Sequence, residues 1–184
     1  MATQGDKKVF GVYIPSVLNS KVIMSINEIG RNIKQNLEKM IQFNTEGKCI
    51  PDGFIRPNSV KILSYSSGNV CNENVEFQVV YECMICHPVE GMIIDNCVVR
   101  TITKAGIHAE VVDDNGAVPI TIFIARDHHF SDSKFSKIKV DDKIKVTVIG
   151  SRFELNDKYI SVIANIMYDK EKKPEKKQVP INII

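Results

Sequence analysis

Cys83, Cys86 and His87 stand in the spacing C-x-x-C-H within YECMICHPVEG, residues 81–91. As a pattern this is a covalent haem-attachment signature, or half of a zinc or redox site. The residues around it argue otherwise. Val75, Phe77, Val79, Tyr81, Cys83 and Ile85 share one parity, and Glu76, Gln78, Val80, Glu82, Met84 and Cys86 share the other. That alternation predicts a long β-strand. Successive strand residues point to opposite faces, so Cys83 and Cys86 face apart and cannot hold one metal or one haem while the strand persists. Cys83 is expected as a small core residue and Cys86 as a partly covered one, with Pro88 ending the strand.

Other groups with chemical potential fare no better. Asp127-His128-His129, beside Arg126, lacks the H-x-H or H-x-x-x-H partners that would converge on one ion, and a polar loop start is expected there. Glu73, Glu76 and Glu82 have no accompanying nucleophile, base and oxyanion arrangement. No G-x-x-x-x-G-K phosphate loop occurs. The expectation is a noncatalytic chain with no metal and no cofactor.

The whole chain sets the frame for these residues. Its 184 residues are 43% hydrophobic and 25% charged, a globular composition with room for one large or two small domains. A net charge of +2 gives no global basic field, so affinity for nucleic acid must come from a local patch. No basic-then-apolar leader occurs at the start, and no run approaches the ~18 apolar residues of a membrane span. Five scattered cysteines fit reduced thiols. An intracellular protein away from membranes is expected, whereas a C-x-x-C-H haem needs an exported setting.

Two units are read along the chain. In the first, residues 1–88, a short strand over 9–13 is closed by Pro15, and 21–24 forms a second extended piece. Ser25 and Glu28 fit a capping box. Ile26, Ile29, Ile33, Leu37, Met40 and Ile41 then mark an amphipathic helix to about residue 43, with 44–47 as its stop. A strand over 60–65 and a turn at 66–69 lead into the long strand. This order predicts an α+β unit, one helix on a small antiparallel sheet. In the second, residues 89–168, strands are expected over 92–103, 107–112, 118–125, 143–153 and 159–167. Asn115-Gly116 is a hairpin signal and 126–142 a long polar connection. Five strands with a wide gap between the third and fourth predict an all-β Greek-key barrel of the OB type. Residues 169–184 read as a charged, solvated tail.

A resemblance rests on Ile29-Gly30, Ile33-Lys34-Gln35-x-Leu37, Glu46-Gly47-x-Cys49, the long strand, and His87-Pro88-x-x-Gly91. In that order, from residue 9 to about 167, the chain resembles the larger stalk subunit of multisubunit DNA-directed RNA polymerases. This family comprises the seventh subunit of eukaryotic RNA polymerase II and its archaeal counterpart. The resemblance implies an RNP-like or ferredoxin-like N-terminal domain that docks on the polymerase core, and an S1-type OB barrel directed at nascent RNA. Carried over by position, the docking tip is Glu28, Ile29 and Gly30 together with Ser67, Gly68 and Asn69. The implied partners are the core subunits and a smaller helical stalk subunit forming a heterodimer. Exposed apolar surface on the long strand or around 87–91 would supply that second interface. The implied location is the nucleus in a cellular eukaryote, or a viral factory or virion in a large DNA virus. A chain rich in isoleucine, asparagine and lysine also points to an AT-rich genome.

For RNA, strand parity supplies candidates. If Ile120, Ile122 and Ile124 line the barrel, Thr121 and Phe123 point outward, and Phe123 can stack a base. His108 has outward parity between Ile107 and Ala109. Lys104 lies in the first inter-strand loop, and Lys143, Lys145, Arg152 and Lys158 lie on or near the last two strands, within reach of phosphates. The competing account covers Phe123 with the long connection and leaves the lysines as ordinary solvated charges. Either way, only weak, sequence-tolerant binding of single-stranded RNA is expected. The alternative function is a free-standing S1/OB RNA-binding protein in translation or RNA turnover.

Overall fold

A computed structural model describes residues 11–129 and 134–168. The tail expected over 169–184 and the first residues of the strand expected over 9–13 lie outside them.

The long alternating segment is β6, Asn74–Cys86, and it is the spine of the first sheet. Along one edge it pairs antiparallel with β1, Tyr13–Ser25, through thirteen consecutive residues. Along its other edge it meets three short strands in turn: β3, Gly53–Ile55, then β4, Lys61–Tyr65, then β5, Asn69–Cys71. A further strand, β2, Cys49–Ile50, pairs with β3. The odd residues Val75 to Ile85 join Val22, Met24, Ile55 and Ile62 in one apolar cluster. Leu37 and Ile41 of α1, Ile33–Thr45, are buried in the same cluster. Side-chain hydrogen bonds hold the helix end in place. The Glu38 carboxylate accepts from the Ile62 N–H, and Glu46 accepts from the N–H groups of Asn58, Ser59 and Val60.

Several expectations change here. Pro15 does not close a strand; it lies inside β1 opposite Met84. The Met84 carbonyl accepts from Arg56 N–H and its own N–H donates to Ser59 Oγ, so that pair faces away from β1. The nitrogen of Pro15 therefore sits on the sheet's open edge, where a missing donor costs nothing. The helix begins at Ile33 and not at Ile26. Ser25 and Glu28 do make a capping contact, Ser25 N–H to Glu28 Oε2 at 3.3 Å, but it closes a single 3-10 turn, Ile26–Glu28. Ile29 is then extended, so the helical register restarts beyond Gly30. A ferredoxin-like layout needs two helices. The described residues contain one α-helix, because α1 is followed by a meander of short strands with no second helical period.

The second unit closes. Five strands, β7 (Ile93–Ile102), β8 (Gly106–Val111), β9 (Ile120–Ala125), β10 (Lys143–Arg152) and β11 (Ile160–Met167), form a barrel of order β10-β11-β9-β8-β7, sealed by pairing of β10 with β7. β9 and β11 run parallel while the other neighbours are antiparallel. This is the arrangement of an OB-fold. Ile120, Ile122 and Ile124 are fully buried inside it, as their parity predicts.

The seam between sheet and barrel is itself a core. Val12, Tyr13, Cys49, Phe54 and Cys86 belong to the barrel's apolar cluster and not to the sheet's. Cys49 N–H donates to the Asp157 carbonyl and its carbonyl accepts from Asn156 N–H, both at 2.8 Å. The Ser151 hydroxyl donates to the Pro88 carbonyl at 2.9 Å. Tyr13 OH donates to Asp113 Oδ2 at 3.1 Å, and Arg56 lies over the Tyr13 ring with Nε 3.4 Å from the same carboxylate. Burial, reinforced by Asp113, raises the Tyr13 phenol far above its ordinary pKa and keeps it a donor.

Candidate nucleic-acid face and docking end

The C-x-x-C-H residues separate as strand parity requires. Cys83 packs in the sheet cluster and Cys86 in the barrel cluster. Cys86 is fully buried, where sequence predicts only partial cover, because the barrel closes over that face of β6. Burial pushes the Cys86 thiol up to about 12 and Cys83 up to about 11, so both stay protonated and uncharged at neutral pH. His87 Nδ1 bonds the Asp52 carbonyl at 2.8 Å, and its ring meets Phe153 edge-on. His129 Nε2 accepts from Ile166 N–H, and its ring stacks on Phe135.

On the barrel exterior, cross-strand register assembles a row. His108 lies opposite Phe123, Phe123 opposite Ile163, and Ile163 opposite Gly150, so one line of side chains crosses β8, β9, β11 and β10. The His108 and Phe123 ring centroids are 4.9 Å apart at 47°. Phe123 is half-buried and His108 exposed. They open onto a cleft of about 570 Å³ that also includes Tyr159, Ser161, Ile163 and Arg152. Arg152 Nη2 is held by Glu154 Oε1 at 2.9 Å, but both side chains are exposed. Such a pair is worth at most ~1 kcal/mol and exchanges readily for a phosphate.

The other predicted cations scatter. Lys158 is exposed in the β10–β11 turn, next to Tyr159. Lys145 Nζ is 3.0 Å from Asp95. Lys143 opens β10, nine residues from Arg152, a distance of roughly 30 Å along a strand. Lys104 lines a different depression, shared with Ile102, Thr103 and Arg126. Structure thus brings His108, Phe123 and Arg152 into one cleft, leaves Lys158 outside its lining but next in sequence to Tyr159, and places Lys143 and Lys145 elsewhere. Tyr159 and Ile163 are cleft residues that were not among the sequence candidates. Their signal was present in the alternation of β11, where Ile160, Val162 and Ala164 are buried and the residues between them exposed.

The two predicted tip segments, 28–30 after β1 and 67–69 before β5, lie at the same far end of the sheet on either side of β6. Ser25 pairs with Asn74, and the Ile26 N–H reaches the Glu73 carbonyl at 3.1 Å. Asn36 Nδ2 donates to the Glu28 carbonyl at 2.9 Å, tying the approach to α1. Asn69 lies opposite Glu76 on β6. A side chain at Gly68 would collide with Val75 and Phe77, so this glycine lets the 66–69 turn lie flat on the sheet. Ile29 is half-buried against the sheet core, whereas Ile26 and Val70 are 51% and 64% exposed. Opposite ends of β1 and β6 carry the barrel: Tyr13 and Cys86 are the pair inside its cluster.

An OB barrel fused at a packed seam to a β6-spined sheet is the architecture against which relatives can be weighed. No family model matches the chain. A protein of Acanthamoeba polyphaga mimivirus named as a DNA-directed RNA polymerase subunit is 26% identical over 173 residues, covering 85% of this chain and 82% of its own. DNA-directed RNA polymerase II subunit RPB7 of Glycine max is 25% identical over 158 residues, 77% of this chain and 85% of its own. DNA-directed RNA polymerase II subunit 7 of Arabidopsis thaliana is 27% identical over 142 residues, 68% and 76%. Over most of its length the chain is similar to the seventh subunit of RNA polymerase II and to a viral polymerase subunit. Similarity over such shares of both chains takes in sheet and barrel together.

Proposed function

We propose that this chain is a noncatalytic stalk subunit of a DNA-directed RNA polymerase. It docks on the core enzyme through the sheet end formed by residues 25–30 and 66–73, and touches nascent single-stranded RNA with the barrel cleft. The observation that carries this reading is the likeness to polymerase subunits across most of the chain. The geometry is compatible with it. The turns at one pole expose Ile26 and Val70, and the aromatic cleft lies on the barrel beyond the opposite pole. A base stacked on Phe123 is worth about 1–3 kcal/mol, and with one nearby arginine the contact is weak and sequence-tolerant. A smaller stalk partner has candidate surface in Val17 and Ile23 on the open face of β1, and in Val89 at the seam, all more than half exposed. The outward side of β6 offers less, because Glu76 and Glu82 pair there with Lys21 and Lys61. The protein would then work wherever its polymerase does, in a nucleus or in a viral compartment.

The test is affinity purification of the tagged chain from its own source, with Ile26→Asp/Val70→Asp beside the wild type. The wild type should bring down the polymerase core and the double variant should lose it. Recovery of the core at wild-type level by the double variant would sink the docking assignment. Recovery of ribosomes or RNA-decay enzymes in place of a polymerase would return the chain to the free-standing class.

A further inference from the structure

We infer that Lys104 and Arg126 form a phosphate-anchoring corner of the barrel, adjoining the His108–Phe123 pair and serving the same strand of RNA. The inference rests on the RNA-contact reading above. Arg126 follows β9 directly, and its backbone N–H donates to the Ala105 carbonyl at 2.9 Å, so it folds back beside the β7–β8 turn that carries Lys104. That turn is stiff. Thr103 Oγ both donates to the Gly106 carbonyl and accepts from its N–H, and a Cβ at Gly106 would collide with the Ile124 carbonyl. Both cations line one depression of about 510 Å³ with Ile102 and Thr103.

The guanidinium is positioned but not neutralised. Its Nη2 donates to the Thr103 carbonyl at 3.1 Å, and its carbon lies 5.5 Å from the Phe135 ring centroid. Its Nε is buried with no hydrogen-bond partner, and among the described residues neither Arg126 nor Lys104 has a carboxylate within salt-bridge distance. Arginines held in this way usually sit against an acceptor. A small turn of the guanidinium off Phe135 would bring Nε and a terminal nitrogen onto two oxygens of one phosphate, with the Lys104 ammonium beside them.

Register gives the spacing. Gly106 pairs with Ala125 and His108 with Phe123, so the corner lies two to three residues, about 7–10 Å, along the same hairpin from the aromatic pair. One unstacked nucleotide spans that gap. A base on Phe123 therefore leaves its neighbouring phosphodiester at Lys104 and Arg126, the footprint of a single strand with an unpaired base, and the RNA-contact reading above makes that strand RNA.

The experiment uses the full chain and fluorescent oligouridine, with Kd measured between about 50 mM and about 300 mM KCl. Losing one phosphate contact should flatten the slope of log K against log salt by about 0.7. Lys104→Gln/Arg126→Gln should show that flattening, Arg126→Lys should keep most of the slope, and Phe123→Ala should weaken binding at every salt with the slope unchanged. In the wild type, the Arg126 Nε–H resonance should shift on adding oligouridine. A double variant with the wild-type slope, or an Nε–H resonance that moves with inorganic phosphate and not with oligouridine, overturns the corner and leaves the cleft reading standing. If the wild type binds no oligouridine at low salt, both fall together.

Discussion

The sheet and the barrel use the same strand chemistry to opposite ends. The sheet keeps an open edge along β1, and what it offers a partner is protruding: turns at its tip, with Ile26 and Val70 uncovered. The barrel has no free edge, because β10 pairs with β7, and what it offers is a recess between strands. Closure explains the difference. A closed sheet satisfies its backbone internally, so recognition falls to the outward side chains, which register lines up in rows. An open sheet presents backbone and chain reversals, and is blunted where pairing must be avoided, as Pro15 and the Lys21–Glu76 and Lys61–Glu82 pairs blunt this one.

The largest expected effect strikes the place where the two meet. Asp113 accepts from Tyr13 OH, pairs with Arg56, and is only 6% exposed at its side chain. Asp113→Ala leaves the buried Tyr13 hydroxyl without its acceptor and removes one of the carboxylates that face Arg56, and should lower unfolding free energy by about 3 kcal/mol. Urea titration followed by both far-UV circular dichroism and tyrosine fluorescence checks this. The wild type should unfold in one transition; two separate wild-type transitions would show that the seam does not couple the halves.

Phe123→Ala should separate the functions next. It is predicted to weaken RNA binding by about 1–3 kcal/mol, roughly 5- to 150-fold, in an anisotropy titration. Recovery of polymerase core in pull-downs should not change, and loss of both activities would mean that the two poles are not independent.

A pair of glycines sharpens the packing contrast. Gly68→Ala drives a methyl into Val75 and Phe77 and should cost about 1–3 kcal/mol, whereas a Cβ at Gly150 meets nothing within 4 Å and Gly150→Ala should stay within about 0.5 kcal/mol. Thermal unfolding of both variants decides it; equal losses would refute the tight tip turn.

The remaining effect is alkaline. Burial raises the Cys86 and Cys97 thiols from 9.0 to about 12. Above pH 9 the unfolded chain releases these protons while the folded chain retains them, so stability falls as pH rises through that window. The midpoint of thermal unfolding should drop between about pH 8.5 and about pH 10.5, less steeply in Cys86→Ala. A flat profile would show that the seam side of β6 is open to solvent.

Much of this was legible before any coordinates. The parity of β6 put Cys83 and Cys86 on opposite faces, and that of β8 and β9 turned His108 and Phe123 outward. Asn115-Gly116 and the polar run over 126–142 supplied spacing that fits an OB barrel. The β2–β3 hairpin was missed although Pro51-Asp52-Gly53 is a turn signal, because strands of two and three residues are too short to show alternation. The helix start was misread because Ile26 and Ile29 continue the helical spacing while belonging to a separate turn. Which cations share a surface was likewise hidden: Lys104 joins Arg126 only through the fold of the β8–β9 hairpin, and Lys143 is stranded at the other end of β10.

Side-chain direction along an extended strand is set by neighbours one and two residues away, so the sequence alone determined the faces of β6, β8 and β9 and the separation of Cys83 from Cys86, while Pro15 hid the continuity of β1. What covers each face depends on residues far off in the chain. Only the tertiary structure could decide that the barrel seals Cys86, that Asp113 meets Tyr13 a hundred residues away, and that Phe123 is left open beside a cleft.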